Sequence, residues 1–375
     1  MIKVHHRDSK SSARTGTMDL PHGKVSLPSF MPVGTNGAVK AISHSTVENM
    51  GTRLILANTY HLYLRPGIEV IRAGGGLHRF SGWNHNILTD SGGYQVFSLA
   101  PFRKILEDGV KFRSHIDGSY HVLTPELVIE LQEGFGSDIL MPLDVCTGPE
   151  SGRKQAEEAL QTTTRWARKS LERWNARKEG YEGRLFGIIQ GQFFTDLRLQ
   201  SAYEILELDT PGIAIGGLSV GESFEVYEQM LEVLSPLLPD DKPRYVMGIG
   251  TPDYILSAVQ HGIDVFDCVY PTRIARNGSV FTADGLIDLK KARFEKDFAP
   301  IMQGCACTAC VRYSRAYLRQ MFKTNEMYGP MLATEHNLRF LHDFLTDIRA
   351  AIEADNFLPF KTNFLARFGS KASHV

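Results

Sequence analysis

The stretch Val265-Phe266-Asp267-Cys268-Val269-Tyr270-Pro271-Thr272-Arg273, with Arg276 close behind, decides how the chain is read. The apolar run from Gly262 to Phe266 predicts a short buried strand, and Pro271 bars its continuation as a central strand. A strand-end aspartate has a plain role, the capping of the next turn. Asp267 has a chemical role open to it as well. A carboxylate at the carboxyl end of a buried strand, followed by Arg273 and Arg276, suits work beside an anionic backbone. The local pattern admits both roles, and the rest of the chain separates them.

The same pattern recurs upstream. Apolar runs bounded by turn residues fall at Phe30–Val33, Leu54–Ala57, Ile87–Thr89, Ile139–Leu143, Leu185–Ile189, Ile213–Ile215 and Tyr245–Ile249, before the last at Ile263–Phe266. None alternates strictly, as expected of parallel strands buried on both faces. Helical stretches lie between them at Pro125–Phe135, Arg153–Lys178, Asp196–Leu208, Phe224–Leu237 and Pro252–His261. Alternating strand and helix predicts a parallel sheet, and eight such units predict a closed (β/α)8 TIM-like barrel rather than a doubly wound sheet. Asn58, Asp90, Asp144, Gln190 and Asp267 each directly follow or close a strand. In such a barrel these ends share one face, so the five would make a single polar mouth. Chance is the competing account, because strand ends meet polar loops.

Two stretches break the alternation. Residues 109–123 carry Asp117-Gly118 between apolar runs and predict a small antiparallel hairpin with a two-residue turn. After Asp267, Asn277-Gly278 and Asp284-Gly285 predict further hairpin turns, and a cysteine cluster follows. We therefore expect a barrel core over 1–268, a metal-binding subdomain with a basic helix over 269–350, and a C-terminal helix and tail over 351–375 that closes on the barrel.

Composition narrows the setting. At 375 residues the chain exceeds the roughly 250–300 that one core usually supports, which predicts an appendage on a large domain. A net charge of −1 leaves nucleic-acid binding to local basic patches. The N-terminus lacks the apolar segment of a signal peptide, and no run reaches the ~18 apolar residues of a membrane span. Three of the five cysteines crowd into Cys305-Ala306-Cys307-Thr308-Ala309-Cys310, which favours a metal in a reducing, cytoplasmic setting over disulfides.

With His336 as fourth ligand, Cys305, Cys307 and Cys310 suit tetrahedral structural Zn2+. Buried inert cysteines would be scattered, as Cys146 and Cys268 are. Four protein ligands leave no open position, so we expect a staple and not a catalyst. Arg312, Arg315, Arg319 and Lys323 follow at helical spacing with Tyr313 and Tyr317 among them, and no acid lies from Cys305 to Lys323. They form either a solvated helix face or a phosphate-contacting stripe.

Taken together, the stretches Ile55–Leu62, Leu88–Gln95, Asp144-Val145-Cys146, Gly187–Gly191, Ile215–Glu222, Tyr245–Gly248, Phe266–Val269 with Pro271-Thr272-Arg273, and the cysteine cluster carry a resemblance. In this order and at these separations they resemble the tRNA-guanine transglycosylases of bacterial type over almost the whole chain. The resemblance implies an enzyme of queuosine biosynthesis. Such an enzyme exchanges guanine at the wobble position of tRNAs with a G-U-N anticodon for a 7-deazaguanine. It implies Asp267 as nucleophile and Asp90 as general acid/base. It places base recognition on Asp144, Gln190, Ser91 and the backbone of Gly217 and Leu218, with Tyr94 and Met247 sandwiching the purine. It further implies one structural zinc on Cys305, Cys307, Cys310 and His336, and a homodimer. The segment Thr147-Gly148-Pro149-Glu150 departs from the bacterial pattern and is more similar to eukaryotic members. Val220 stands where the eukaryotic enzyme has glycine, and its branched side chain should narrow the pocket. We therefore expect preQ1 as the incoming base, with direct queuine incorporation as the alternative. The rivals are a zinc-dependent barrel hydrolase and a non-catalytic RNA-binding partner subunit, which would be expected to lack one or both aspartates.

Overall fold

A computed structural model describes residues 1–99 and 102–369; the end of the C-terminal tail, 370–375, lies outside the described residues. The eight barrel strands are β1 (Ser29–Pro32), β2 (Leu54–Ala57), β3 (Asn86–Thr89), β4 (Ile139–Leu140), β5 (Arg184–Ile189), β6 (Gly212–Ile215), β7 (Arg244–Val246) and β8 (Val265–Cys268). They form one parallel eight-stranded sheet in chain order, with β8 beside β1 in the register Asp267 to Met31. Between β1 and β2 the ring closes through a bridge from Val33 to Leu56 and a 2.7 Å bond from the Gly34 N–H to the Leu56 carbonyl.

Each strand is buried on both sides, which is why its sequence does not alternate. On β2, Leu54 and Leu56 point into the barrel with Leu88, Ile139, Phe186, Ile188 and Tyr245. Ile55 and Ala57 point outward into the layer shared with the helices, as do Ile87, Ile189 and Phe266. Truncating a fully buried member such as Ile188 to alanine would cost about 2–5 kcal/mol.

An antiparallel sheet of Ile2–Arg7, Arg14–Leu20 and Gly23–Leu27, which the sequence reading missed, closes the amino end of the barrel. Its Met18, Leu20, Val25 and Leu27 continue the interior core. Buried Arg14 fastens it by two bonds, 2.9 and 2.6 Å, to Asp264 just before β8.

The helix Pro125–Phe135 shows how local signals place the site. Thr124 caps it by accepting from the Leu127 N–H, Pro125 opens it, and Gly136 closes it in the left-handed conformation at φ 75°. Its inward face carries Gln132, a fully buried amide that acts as a surrogate strand. Gln132 donates to the Met141 carbonyl at 2.8 Å and accepts from the Met141 N–H at 2.9 Å. It also accepts from Thr89 on β3 at 2.8 Å. That is why β4 is shorter than the expected Ile139–Leu143: Met141 pairs with a side chain.

Two turn expectations change. The hairpin at 109–123 pairs Arg113 with Tyr120, so its connection is longer than two residues, and Arg103–Leu106 adds a third strand. Ser114 and Asp117 side chains bond within that loop and hold the wider turn. Asn277-Gly278 closes the helix Tyr270–Arg276 and is not a hairpin turn. Past Gly278, the strands Ser279–Thr282 and Gly285–Asp288 do form a hairpin through Ala283-Asp284. Beyond it lies a second small core of Ala275, Val280, Leu289, Ile301, Leu318 and Leu332 around the cysteines. The helix Tyr328–Glu353 joins this core to the barrel, burying Leu332 and Ala333 in one and Phe344, Ile348 and Ile352 in the other. The helix Phe357–Gly369 then packs Phe357, Phe360 and Phe364 onto the outer layer.

Candidate active site

The carboxyl ends of the strands open into a cavity of about 320 Å³. Asp90, Asp144 and Asp267, from the ends of β3, β4 and β8, all line it. Asp90 accepts from Asn58 Nδ2 at 2.5 Å and the Thr59 N–H at 2.8 Å, while the Thr59 hydroxyl donates back to the Asp90 carbonyl at 2.5 Å. Asp267 accepts from the Tyr245 hydroxyl at 2.6 Å and the Gly248 N–H at 2.8 Å. Gly248 cannot extend β7 while it serves Asp267, so that strand ends at Val246 and not at the expected Ile249. Asp144 accepts from Ser91 at 3.0 Å and from Gln190 Nε2 at 2.8 Å.

All three carboxylates therefore have neutral donors. Burial pushes the Asp90 carboxyl up to about 6 against the donors Asn58, Thr59 and Gln95, and the neighbouring charge of Asp267 adds to the rise. Burial likewise raises Asp144, opposed by Gln190 and Ser91, and Asp267, opposed by Tyr245 and Gly248. Tyr245 is itself raised by burial and by Asp267, so it stays a neutral donor. An acid poised near 6 beside a second carboxylate can give a proton and take one back near neutral pH.

Ser91, Tyr94, Gln190, Gly217, Leu218 and Met247 all face the same cavity, as do Val220 and Arg273. Tyr94 is 58% exposed at the rim of the cavity. At Gly216 and Gly217 a Cβ would meet the Gln190 carboxamide at 2.6 and 2.5 Å respectively, so a side chain at either position would displace the amide that donates to Asp144. Arg276, one turn beyond Arg273, is half-buried.

The basic stripe does not form one helical face. Arg312 ends the helix Thr308–Arg312, Tyr313 is extended, and Arg315, Arg319 and Lys323 lie on the next helix, Arg315–Lys323. The spacing looked continuous because Tyr313 and Ser314 leave no breaker, yet Ser314 caps the second helix. Arg315 pairs with Asp297 at 3.0 Å and Arg319 with Glu295 at 3.4 Å, acids that precede the cysteines in sequence. Arg312 and Lys323 remain exposed.

Several residues that hold the site escaped the sequence reading. Tyr245 and Thr59 support the two aspartates directly. Arg198, fully buried, donates to the carbonyls of Gly216 at 2.7 Å, Gly217 at 3.0 Å and Gln192 at 2.6 Å. It thereby sets the loop that borders the cavity. Glu222 accepts from the N–H groups of Ser219 and Val220, the latter at 2.9 Å. A buried arginine bonded only to carbonyls leaves no sequence signal, since its partners are backbone.

Away from the cavity, Cys305, Cys307 and Cys310 bring their Sγ atoms to 3.7, 3.4 and 3.3 Å from His336 Nδ1. Those separations suit a metal, because Zn–S near 2.3 Å and Zn–N near 2.1 Å place tetrahedral ligands about 3.6 Å apart. His336 Nε2 lies 2.8 Å from the Phe281 carbonyl, which can only accept, so Nδ1 is left with its lone pair toward the thiols. The four residues could hold a metal ion. Among the described residues, no helix is long and apolar enough to cross a membrane.

The comparisons with known proteins agree with this arrangement. The queuine tRNA-ribosyltransferase family model matches residues 8–370. A queuine tRNA-ribosyltransferase of Borrelia hermsii is 54% identical over 368 residues, covering 98% of each chain. That of Treponema denticola is 53% identical over 366 residues, covering 98% of this chain and 97% of its own. That of Desulforamulus reducens is 49% identical over 369 residues, covering 98% and 99%. With both the fold and the match spanning the chain nearly end to end, it belongs to the queuine tRNA-ribosyltransferase family, enzymes that are pentosyltransferases.

Proposed function

We propose that this chain exchanges the guanine at the wobble position of tRNAs with a G-U-N anticodon for preQ1, by two displacements at one ribose carbon. The observation that carries this reading is that Asp90 and Asp267, far apart in sequence, face one cavity together with Ser91, Asp144 and Gln190.

Asp267 is the nucleophile. Its carboxylate oxygen bonds to C1′ as the bond from C1′ to guanine breaks, and the bond pair leaves with the base. The Tyr245 hydroxyl and Gly248 N–H grip Oδ1, which leaves Oδ2 for the attack. Asp90, protonated below about 6 when the site is empty, gives the departing guanine its proton. The incoming base then returns a proton to Asp90 and takes the ribose from Asp267. Two inversions give net retention, and closure of the cavity around the base keeps water from resolving the ester.

Asp144 accepts from the N1–H and N2–H edge of guanine, and Ser91 and Gln190 hold it for that task. Gln190 has a second amide hydrogen for the base O6, alongside the Gly217 and Leu218 backbone. Tyr94 and Met247 enclose the purine faces. A wobble base is single-stranded, so splaying it into the pocket costs only a few kcal/mol. Arg273 at the mouth and Arg276 one turn beyond it are phosphate contacts, as are the exposed Arg312 and Lys323; Arg315 and Arg319, already ion-paired, serve the fold first. Zn2+ on Cys305, Cys307, Cys310 and His336 is structural in this reading and enters no step. The family resemblance carries a homodimer and a cytoplasmic setting with it.

The deciding experiment incubates the protein with labelled guanine and a tRNA bearing a G-U-N anticodon. Label should enter the tRNA and be displaced by unlabelled preQ1. No incorporation at any protein concentration would overturn the reading and favour the silent-partner alternative.

A further inference from the structure

A second cavity, of about 110 Å³, shares no lining residue with the mouth. It lies where the starts of β1 and β2 meet the strand Gly23–Leu27 and the helix Tyr328–Glu353. Lys24, Arg53, His342 and Arg349 line it together with Ser29 and Thr52, and among the described residues no carboxylate does.

The two guanidinium groups are held in place by neutral partners. Arg53 Nη1 donates to the carbonyls of Glu48 and Thr52 at 2.9 and 3.0 Å. Arg349 donates to the Pro28 carbonyl at 2.8 Å and to the Thr346 hydroxyl at 2.7 Å. These bonds fix the cations without bringing a negative charge, and among the described residues Lys24, Arg53 and Arg349 form no ion pair. Asp343, next to His342 in the chain, is taken up by Arg339 at 2.8 Å. The His342 ring packs over Gly51, where a Cβ would come within 2.8 Å of it. Burial holds His342 below its usual range, and Arg349, Arg339 and Arg53 lower it further against Asp343, so the empty cavity keeps the ring neutral.

We infer that this cavity binds a phosphate-class oxyanion, either inorganic phosphate or a small phosphate monoester. Lysine and arginine offer only donors, and such an anion offers only acceptors, so each oxygen it brings meets a charge-assisted bond. Converging cations without a counter-ion repel one another and lose hydration, and a bound anion relieves both. The space suits it as well. At roughly 10–15 Å³ for a single water, 110 Å³ admits a compact group of several heavy atoms but no large ligand. The cavity opens at the starts of β1 and β2, whereas the mouth lies at the strands' carboxyl ends, about 13 Å away along four residues of β2. A small anion therefore fits better than the backbone of an RNA seated at the mouth. Once bound, it ties the helix that carries His336 to the N-terminal sheet and to two barrel strands, which stabilises the fold by mass action.

Isothermal titration calorimetry with inorganic phosphate tests this, using the full chain with its cysteine cluster loaded and ionic strength fixed by chloride. The wild type should take up one saturable equivalent. Lys24→Glu, which sets a carboxylate at the cavity, should weaken it at least tenfold, and so should Arg349→Gln. Arg273→Gln at the mouth should leave it within twofold, as should saturating tRNA. Guanine exchange by Lys24→Glu should match the wild type. Absence of a saturable equivalent in the wild type overturns the proposal, and so does an equivalent that survives both cavity substitutions. Displacement by tRNA, or loss in Arg273→Gln, overturns it too, because the anion would then belong to the RNA path. Lys24 is exposed, so Lys24→Glu keeps the question decidable if Arg349→Gln disturbs the packing.

Discussion

The barrel mouth and the cysteine cluster both gather polar side chains around a small space, but they leave that space in opposite conditions. The cluster draws three side chains from residues 305–310 and one from the helix Tyr328–Glu353, and these four could complete a metal's tetrahedron by themselves. Nothing is left over for a substrate. The mouth draws its carboxylates from β3, β4 and β8, gives each only neutral donors, and leaves a cavity of about 320 Å³ between them. A saturated site can only hold the fold together. A site of buried acids bonded only to neutral donors carries a standing electrostatic cost, as reactive sites commonly do.

The sharpest way to break this contrast is to disable one member of each region. Asp267→Asn keeps an oxygen to accept from Tyr245 and Gly248, so the fold and tRNA binding should survive. Guanine exchange should fall by at least about a thousandfold. The wild type, given tRNA with too little incoming base, should yield a slower covalent protein–tRNA band on denaturing gels, and the variant none. Exchange retained in the variant would remove Asp267 from the nucleophile role.

Stripping the metal should act on the other region first. Zinc bound by such clusters contributes about 10–16 kcal/mol to folding. A chelator should therefore loosen the small core of Val280, Leu289, Ile301 and Leu332, visible as early proteolysis after residue 269, while the barrel keeps its near-ultraviolet spectrum. A zinc-dependent hydrolase predicts the reverse: intact fold, lost chemistry.

Next in size comes the cost of the acids themselves. Asp90 has a folded pKa of about 6 against an unfolded value of 3.8, so the native state binds more protons between those values. Its contribution is most favourable below 3.8 and is lost as pH rises to about 6. Above that, the penalty reaches about 3 kcal/mol at most. Asp90→Asn should thus stabilise the protein at pH 8 relative to pH 5, by less than that ceiling because one of its accepted bonds is lost. Denaturant unfolding at both pH values checks it. A variant with the wild-type pH dependence would mean that Asp90 is not buried as an acid.

The two regions were not equally legible in the sequence. Three of the cluster's four residues are local, so their spacing alone pointed to it. The eight strands were legible because each is a short apolar run ending in a turn, although β4 and β7 came out shorter. Their last residues pair with Gln132 and Asp267 side chains, and no periodicity reports that. The N-terminal sheet carries a different signature: Lys24-Val25-Ser26-Leu27 alternates, as a strand with one face in solvent does, whereas the barrel runs are buried on both faces. The residues that support the mouth were harder still. Arg198 and Thr59 act through backbone atoms that lie near only after folding. The expected single helical face of basic residues breaks up for a related reason, since Ser314 caps a second helix and Glu295 and Asp297 reach it across a turn.

The smallest expected effect tests how finely the mouth is shaped. Val220 borders the cavity on a loop held at two points: Glu222 takes its N–H at 2.9 Å, and Arg198 takes the Gly217 carbonyl at 3.0 Å. The backbone is therefore fixed, and the isopropyl group sets how far the pocket extends in its direction. Replacing it with hydrogen enlarges the pocket without touching Asp144 or Gln190. Val220→Gly should leave guanine exchange within a few-fold of wild type and shift the ratio of queuine to preQ1 use upward by about tenfold, the scale of a few apolar atoms in a pocket. The control is the opposite change, Val220→Ile, which should depress queuine use further while preQ1 is tolerated. If both variants keep the wild-type ratio, the side chain at 220 does not gate the base, and selection lies instead with the loop that Arg198 and Glu222 hold.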